Sequence, residues 1–197
     1  MNVNDKVSME YEARAMVSEK QYHEILSQYL KSGYKVNHVI NKNTYFDNDE
    51  LYLTHHDTVL RKRQFNEKLE VTVKRRVEKC NKEINVRLDD SLIDSVDPLL
   101  LFNDDIIIKV LNGKNVSVGE LKVVGELTTD RYEFEINPNC LLVVDKNDYN
   151  HRIDYNVEVE ASSKEEAKEV IKSILSNFGA TYKKDYVSKS RRAILKK

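Results

Sequence analysis

Glu10-Tyr11-Glu12-Ala13-Arg14 is the stretch on which the fold turns. In an extended strand, residues i, i+2 and i+4 share a face, so two carboxylates and a guanidinium stand there in a row. Asn156-Val157-Glu158-Val159-Glu160 repeats the spacing near the other end, with β-branched valines between the acids. Oxygen ligands on two strand faces suit a hard cation such as Mg²⁺ or Mn²⁺. The plain alternative is a solvated sheet face, since antiparallel sheets commonly turn one charged side to water, and for a single E-x-E that reading wins. Repetition with segregated sign shifts the balance. Leu60-Arg61-Lys62-Arg63 carries two arginines on one face, and Glu70-Val71-Thr72-Val73-Lys74-Arg75-Arg76 alternates polar against valine before turning basic. Arg131-Tyr132-Glu133-Phe134-Glu135 is a further alternating run. Acidic and basic strands are separate elements, which is the pattern of a barrel whose charged faces line one chamber and whose apolar faces point outward.

Two amphipathic helices supply covers for those apolar faces. Ser18-Glu19-Lys20-Gln21 has the capping-box form, and Tyr22, Ile25, Leu26, Tyr29 and Leu30 follow at helical spacing up to Gly33. Ser163 to Glu166 opens a second helix in the same way. Ala167, Val170, Ile171, Ile174, Leu175 and Phe178 form its stripe, and Gly179 sits where a helix ends. The remaining alternation predicts strands at about 7–17, 36–47, 57–66, 68–77, 83–88, 124–136, 140–149 and 152–161. The intervening region, about 89–122, reads as short helices inserted to one side, with a loop at Asn112-Gly113. The apolar run Ile106 to Ile108 is equally compatible with a buried strand, and periodicity alone leaves that open. The fold class is therefore α+β: about eight strands with amphipathic helices packed outside, closing into an eight-stranded antiparallel β-barrel if the charged faces point inward, in a single domain spanning 1–197.

No stretch of the 197 residues suits a membrane span or a secretory leader, so a cytoplasmic protein with no membrane partner is expected. Cys80 and Cys140 are too few and too isolated for a disulfide framework or a zinc site. Lys plus Arg number 32 against 33 Asp plus Glu, which removes any global electrostatic case for nucleic acid. The runs Lys74-Arg75-Arg76 and Lys189-Ser190-Arg191-Arg192 read as solvated surface or strand ends, and no stacking-aromatic signature accompanies them. His55 and His56 fall in an expected loop and take no role.

Taken in order, these segments resemble the CYTH domain of the triphosphate tunnel metalloenzymes, almost from end to end. The family's E-x-E-x-K resembles Glu10 to Arg14, its Y-F-D-T resembles Tyr45-Phe46-Asp47-Asn48, and its L-R-x-R is matched by Leu60 to Arg63. Val71-Thr72-Val73-Lys74 stands for its L-T-L-K strand, followed by an isolated Glu83. Gly125-Glu126-Leu127-Thr128-Thr129-Asp130-Arg131 resembles a stretch typical of a bacterial branch. Asp145 to Tyr149, Asp154 to Glu160 and Ser188-Lys189-Ser190 complete the series. The resemblance implies a tunnel holding a triphosphate and Mg²⁺ or Mn²⁺. Glu10, Glu12, Asp145, Glu158 and Glu160 would be metal ligands, with Glu83 a further candidate, and Arg14, Arg61, Arg63, Lys74, Arg131 and Lys189 would grip phosphate. Lys74, Glu83 and Asp145 would act in catalysis, the carboxylates by orienting or activating water.

The expected activity is metal-dependent hydrolysis of a triphosphate: inorganic triphosphate first, with thiamine and nucleoside triphosphates behind it, because no base-reading motif is evident. A class IV adenylyl cyclase making cyclic AMP is the alternative enzyme, and a non-catalytic polyphosphate- or triphosphate-binding module the alternative from another class. The expected partner is a triphosphate-containing small molecule; homodimerisation is left open. One departure stands out: Arg14 occupies the family's lysine position, keeping the charge but changing reach and geometry.

Overall fold

A computed structural model describes residues 8–77, 80–185 and 187–195. The strands are β1 (Ser8–Val17), β2 (Lys35–Asp47), β3 (Thr58–Phe65), β4 (Lys68–Val77), β5 (Cys80–Arg87), β6 (Lys122–Asn137), β7 (Cys140–Tyr149) and β8 (Arg152–Ala161). The helices are α1 (Glu19–Lys31), α2 (Tyr52–His55), α3 (Pro98–Leu101), α4 (Asp105–Asn112), α5 (Lys164–Asn177) and α6 (Lys189–Leu195), with single 3₁₀ turns at Asp90–Leu92 and Val118–Glu120. The chain forms two compact units. Of the described residues, the first contains 8–9, those within 42–127, and 189–195, and the second contains 10–41 and those within 128–188.

In the first unit β5, β4, β3 and the C-terminal part of β2 are consecutive antiparallel neighbours. Period-2 alternation gives the β3-β4-β5 sheet one apolar face, and Leu60, Val71, Val73, Ile84 and Val86 of that face are buried. They pack with Phe46, Leu53, Leu101, Phe102, Ile107 and Leu111 in one cluster, so α2, α3 and α4 cover that face. Phe46 and Phe102 meet edge to face, 4.9 Å apart. The region 89–122 is helical. Residues Ile106 to Ile108 lie in α4 rather than in a buried strand, because Asp104 accepts from the amides of Ile106 and Ile107 and caps a helix there.

In the second unit β1, β8, β7 and the C-terminal part of β6 follow one another, again antiparallel. Ala13, Ala15, Phe134, Leu142, Val144, Val157 and Val159 form the apolar face, covered by Tyr22 and Ile25 of α1 and by Ala167, Ile171, Ile174 and Leu175 of α5. The Ser18 capping box is formed at both hydrogen bonds, and Ser163 caps α5 through the Glu166 amide. Gly179, at φ +66°, follows α5 in the left-handed conformation that a C′ glycine accepts without strain.

Two short helices differ from expectation. His55 ends α2 instead of lying in a loop, with Asp47 as the cause: its fully buried carboxylate accepts from the amides of Asn48 (2.9 Å), Leu53 (2.9 Å) and Thr54 (2.8 Å), folding the chain into a turn of helix. The run at 189–192 begins α6 and is not merely a solvated tail. Ala193 and Ile194 are buried, and a Cβ on Gly125 would stand 2.9 Å from the Ala193 carbonyl oxygen. The absence of a side chain at 125 is what allows α6 to lie against β6.

Candidate functional site

In the first unit the polar face is basic. Arg61 and Arg63 on β3, Glu70, Thr72 and Lys74 on β4, and Glu83 and Asn85 on β5 are brought together by a register that sets Arg63 opposite Glu70 and Lys74 opposite Glu83. Lys74 Nζ lies 2.5 Å from Glu83 Oε1, and Arg61 Nη2 lies 3.8 Å from Glu83 Oε2. Burial alone would raise the Glu83 pKa, but Lys74 and Arg61 outweigh it and hold the carboxyl at about 2. Glu83 is thus ionised and a weak base. Arg63 Nε donates to Glu70 Oε1 at 2.8 Å, and the Thr72 hydroxyl donates to Asn85 at 2.7 Å. The Arg63 pKa is pushed down by burial and by neighbouring Arg61. Arg61 Nε is buried and meets no hydrogen-bond acceptor among the described residues. Tyr45, directly across from Arg61, is buried; desolvation raises its pKa although Arg61, Lys74, Arg63 and Arg192 pull the other way. Lys189 opens α6 and is half-buried. Its neighbour Arg191 binds α2, donating to the Thr54 carbonyl at 3.2 Å.

Lys62 sits on the opposite side of β3, among apolar residues, and is buried. It is satisfied by the carbonyls of Ile93 and of Ser95, the latter at 2.7 Å, and desolvation lowers its pKa. It lashes the 89–97 segment to the sheet and has no place in the basic face.

The second unit gathers the acids. Glu12 and Arg14 project from β1, Arg131 from β6, Asp145 from β7, and Glu158 and Glu160 from β8. The Glu10 side chain lies outside the described residues. Glu12 stands directly opposite Glu160, and Arg14 opposite Glu158. Like charges in directly opposed positions are unfavourable. Asp145, fully buried, receives both Arg131 Nε (2.9 Å) and Nη2 (3.0 Å), and the same Nη2 lies 3.1 Å from Glu158 Oε2. Burial opposes the Arg131 charge, but Asp145 and Glu158 more than offset it and raise its pKa well above the ordinary arginine value. Arg14 is raised too: burial works against its charge, and Glu158, Glu12 and Asp185 favour it more strongly.

Behind Asp145 runs a buried amide chain. Asn156 Nδ2 donates to Asp145 Oδ2 (3.2 Å), Asn147 Nδ2 donates to Asn156 (2.7 Å) and to Asp154 (2.9 Å), and Thr129 donates to Asn147 (3.0 Å). Among the described residues no three His, Cys, Asp or Glu side chains are grouped so as to ligate one ion. Asp145 and Glu158 converge on a guanidinium nitrogen. Their oxygens are nonetheless hard donors, and a divalent cation fits the chemistry of a set that already collects positive charge.

The sequence reading left Asp185, Asn147, Asn156 and Tyr45 without roles. Asn156 opens one of the acidic stretches, and its place on the same strand face as Glu158 was the available signal. Asp185 belongs to no periodic segment and gave none.

The chain belongs to the CYTH domain family, whose match runs over residues 8–194. Among curated protein sequences no match was found. Similar solved structures include a Bacillus halodurans protein named as a candidate adenylate cyclase (TM-score 0.80, 23% identity, 94% of this chain and 97% of that one). A Hippeastrum protein, named as a candidate adenylyl cyclase and described as having a dominant triphosphatase activity, follows at TM-score 0.76 and 22% identity, covering 93% of each chain. A Pyrococcus horikoshii protein matches at 0.64 and 18%, covering 95% of this chain and 99% of that one. The α+β class holds: eight antiparallel strands in the barrel-like tunnel fold, with amphipathic helices against the apolar faces. No helix among the described residues is long and apolar enough to cross a membrane.

Proposed function

We propose that the chain is a metal-dependent triphosphatase acting first on inorganic triphosphate. One observation carries the reading: Glu12 and Glu160 are half-buried and directly opposed across β1 and β8, an arrangement that a bound cation relieves. Glu12, Asp145, Glu158 and Glu160, with Glu10, take the divalent cation. A bound Mg²⁺ or Mn²⁺ supplies neutralisation of phosphate oxygens and a more acidic attacking water.

Arg61, Arg63, Lys74 and Lys189 bind phosphate oxygens, and the buried Arg61 Nε–H, unmatched by any protein acceptor described, is a donor suited to one. Arg14 and Arg131, which pair with Asp185, Glu158 and Asp145, would add positive charge on the substrate side of those carboxylates. Glu83 keeps Lys74 and Arg61 in place before phosphate arrives, its low pKa making it a poor proton acceptor. Asp145, oriented by Asn156, is the carboxylate that aligns water. Phosphoryl transfer asks mainly for such positioning and charge neutralisation.

The Hippeastrum neighbour's dominant triphosphatase activity agrees with this reading, while the cyclase names of the same neighbours keep cyclisation as the second one. A product-resolved assay with inorganic triphosphate, thiamine triphosphate and ATP, each with Mg²⁺, Mn²⁺ or chelator, tests both. Metal-dependent orthophosphate release is expected. Cyclic AMP with pyrophosphate from ATP would replace hydrolysis by cyclisation, tight binding without turnover would leave a binding module, and neither binding nor turnover would overturn the proposal.

A further inference from the structure

Asp185 lies outside every assignment above and yet holds Arg14, one of the two arginines among the acids. Arg14 Nε donates to Asp185 Oδ2 at 2.9 Å, and Nη2 donates to the Val187 carbonyl at 3.3 Å. The Asp185 amide returns a bond to the Arg14 carbonyl at 3.2 Å, which ties the segment to β1. Asp185 Oδ1 also accepts from the Val187 amide at 2.9 Å, so the carboxylate is itself held in place. On its other side, Arg14 Nη1 is 3.5 Å from Glu158 Oε1. All three side chains are largely buried, at 12%, 7% and 4% exposure for Arg14, Asp185 and Glu158.

Two carboxylates therefore compete for one guanidinium, and the distances show that Asp185 has the closer hold. Arg14 meets the two acids through separate nitrogens of its planar fork, Nε and Nη1, a geometry that a lysine ammonium does not reproduce.

We propose that Asp185 is a positioning residue which draws Arg14 off Glu158 Oε1, so that Glu158, already held by Arg131 through Oε2, has one cation fewer to exchange for a divalent ion. This rests on the reading of Glu158 as a metal ligand. Without the Asp185 charge, the nearest anion for Arg14 is Glu158, with Glu12 also within its electrostatic reach. The guanidinium then occupies the metal-binding carboxylate, and a divalent cation has to displace it. The arginine that departs from the family pattern and the aspartate that restrains it form one device.

The test is isothermal titration with Mn²⁺ alone, on wild type, Asp185→Asn, Asp185→Glu, Arg14→Gln and the Arg14→Gln/Asp185→Asn double variant. Asp185→Asn is expected to weaken Mn²⁺ binding about tenfold or more, and Asp185→Glu, which keeps the charge, to remain within about threefold of wild type. In the Arg14→Gln background, Asp185→Asn should change the Kd less than about twofold, because no guanidinium is left to redistribute. Loss of fold would weaken binding equally in both backgrounds, so an equal loss overturns the proposal, as does an unchanged Kd in Asp185→Asn. Failure of the wild type to bind Mn²⁺ would overturn the metal reading itself and this role with it.

Discussion

Replacing Glu83 with Gln isolates the most strongly displaced carboxylate of the basic face. Folding takes its pKa from an ordinary 4.5 to about 2, with Lys74 2.5 Å away and Arg61 3.8 Å away overcoming the cost of burial. At roughly 1.4 kcal/mol per pH unit, that gap is worth about 3 kcal/mol in favour of the folded state. The group is depressed on folding, so its contribution is fully present above pH 4.5 and is lost as the pH falls towards 2. Glu83→Gln removes the contribution at neutral pH and leaves two partly buried cations without their shared counter-ion. Urea denaturation of both proteins between pH 7 and pH 3 measures it. Every other carboxylate titrates in both, so the difference between the two curves belongs to Glu83. The expectation is a gap of about 3 kcal/mol at pH 7, narrowing as the pH drops below 4.5. A gap under about 1 kcal/mol at pH 7, or one independent of pH, would refute the reasoning.

Other substitutions probe different parts of the chain. Glu12→Gln, which removes one member of the opposed pair with Glu160, should abolish metal-dependent hydrolysis in a protein that still folds; unchanged turnover would remove Glu12 from the site. Gly125→Ala sets a Cβ against the Ala193 backbone and should cost about 1–3 kcal/mol, with faster amide exchange in α6; a neutral effect would show that α6 is not held there. Asp47→Ala strips three buried or partly buried amides of their acceptor and should cost about 3 kcal/mol, a fall of about 6–12 °C in melting temperature that calorimetry would register or deny.

Where local chemistry sets the structure, the sequence was a good guide. The strands β4, β7 and β8 lie where alternation placed them, because valines between charged residues have one way to sit on a pleated sheet with one buried face. The two long helices carry their start signals in Ser18 and Ser163. What escaped depends on partners distant in the chain. Helix α2 is folded by a carboxylate up to seven residues earlier, and α6 rests on a glycine some sixty residues before it. Strand β5 begins at Cys80, earlier than its apolar alternation, because pairing with β4 extends that far. Lys62 read as one basic residue among several, and only the tertiary structure brings the carbonyls of Ile93 and Ser95 to it. The polar faces were legible as faces; the pairing of each arginine was not, since Arg131 could reach phosphate or Asp145 equally well on spacing alone.

Within each unit the charges do not cancel, and the sign of the remainder argues for the ligand. On the polar face of β3, β4 and β5, the register brings Arg61, Arg63 and Lys74 together with Glu70 and Glu83. Each of those carboxylates is already engaged by a base, while Arg61 Nε finds no acceptor. An anion is what that face lacks. Around Arg14 and Arg131 the imbalance is reversed, because Glu12, Asp145, Glu158, Glu160 and Asp185 share two guanidinia and two of those acids are set in direct opposition. Simple solvation of a charged surface does not account for this, since Asp145 and Glu158 are buried and pay a desolvation cost that only a counter-charge offsets. A fold selected for stability alone gains nothing by gathering acids on one face, two of them buried and two opposed, whereas one that takes a cation and a polyanion uses both surpluses.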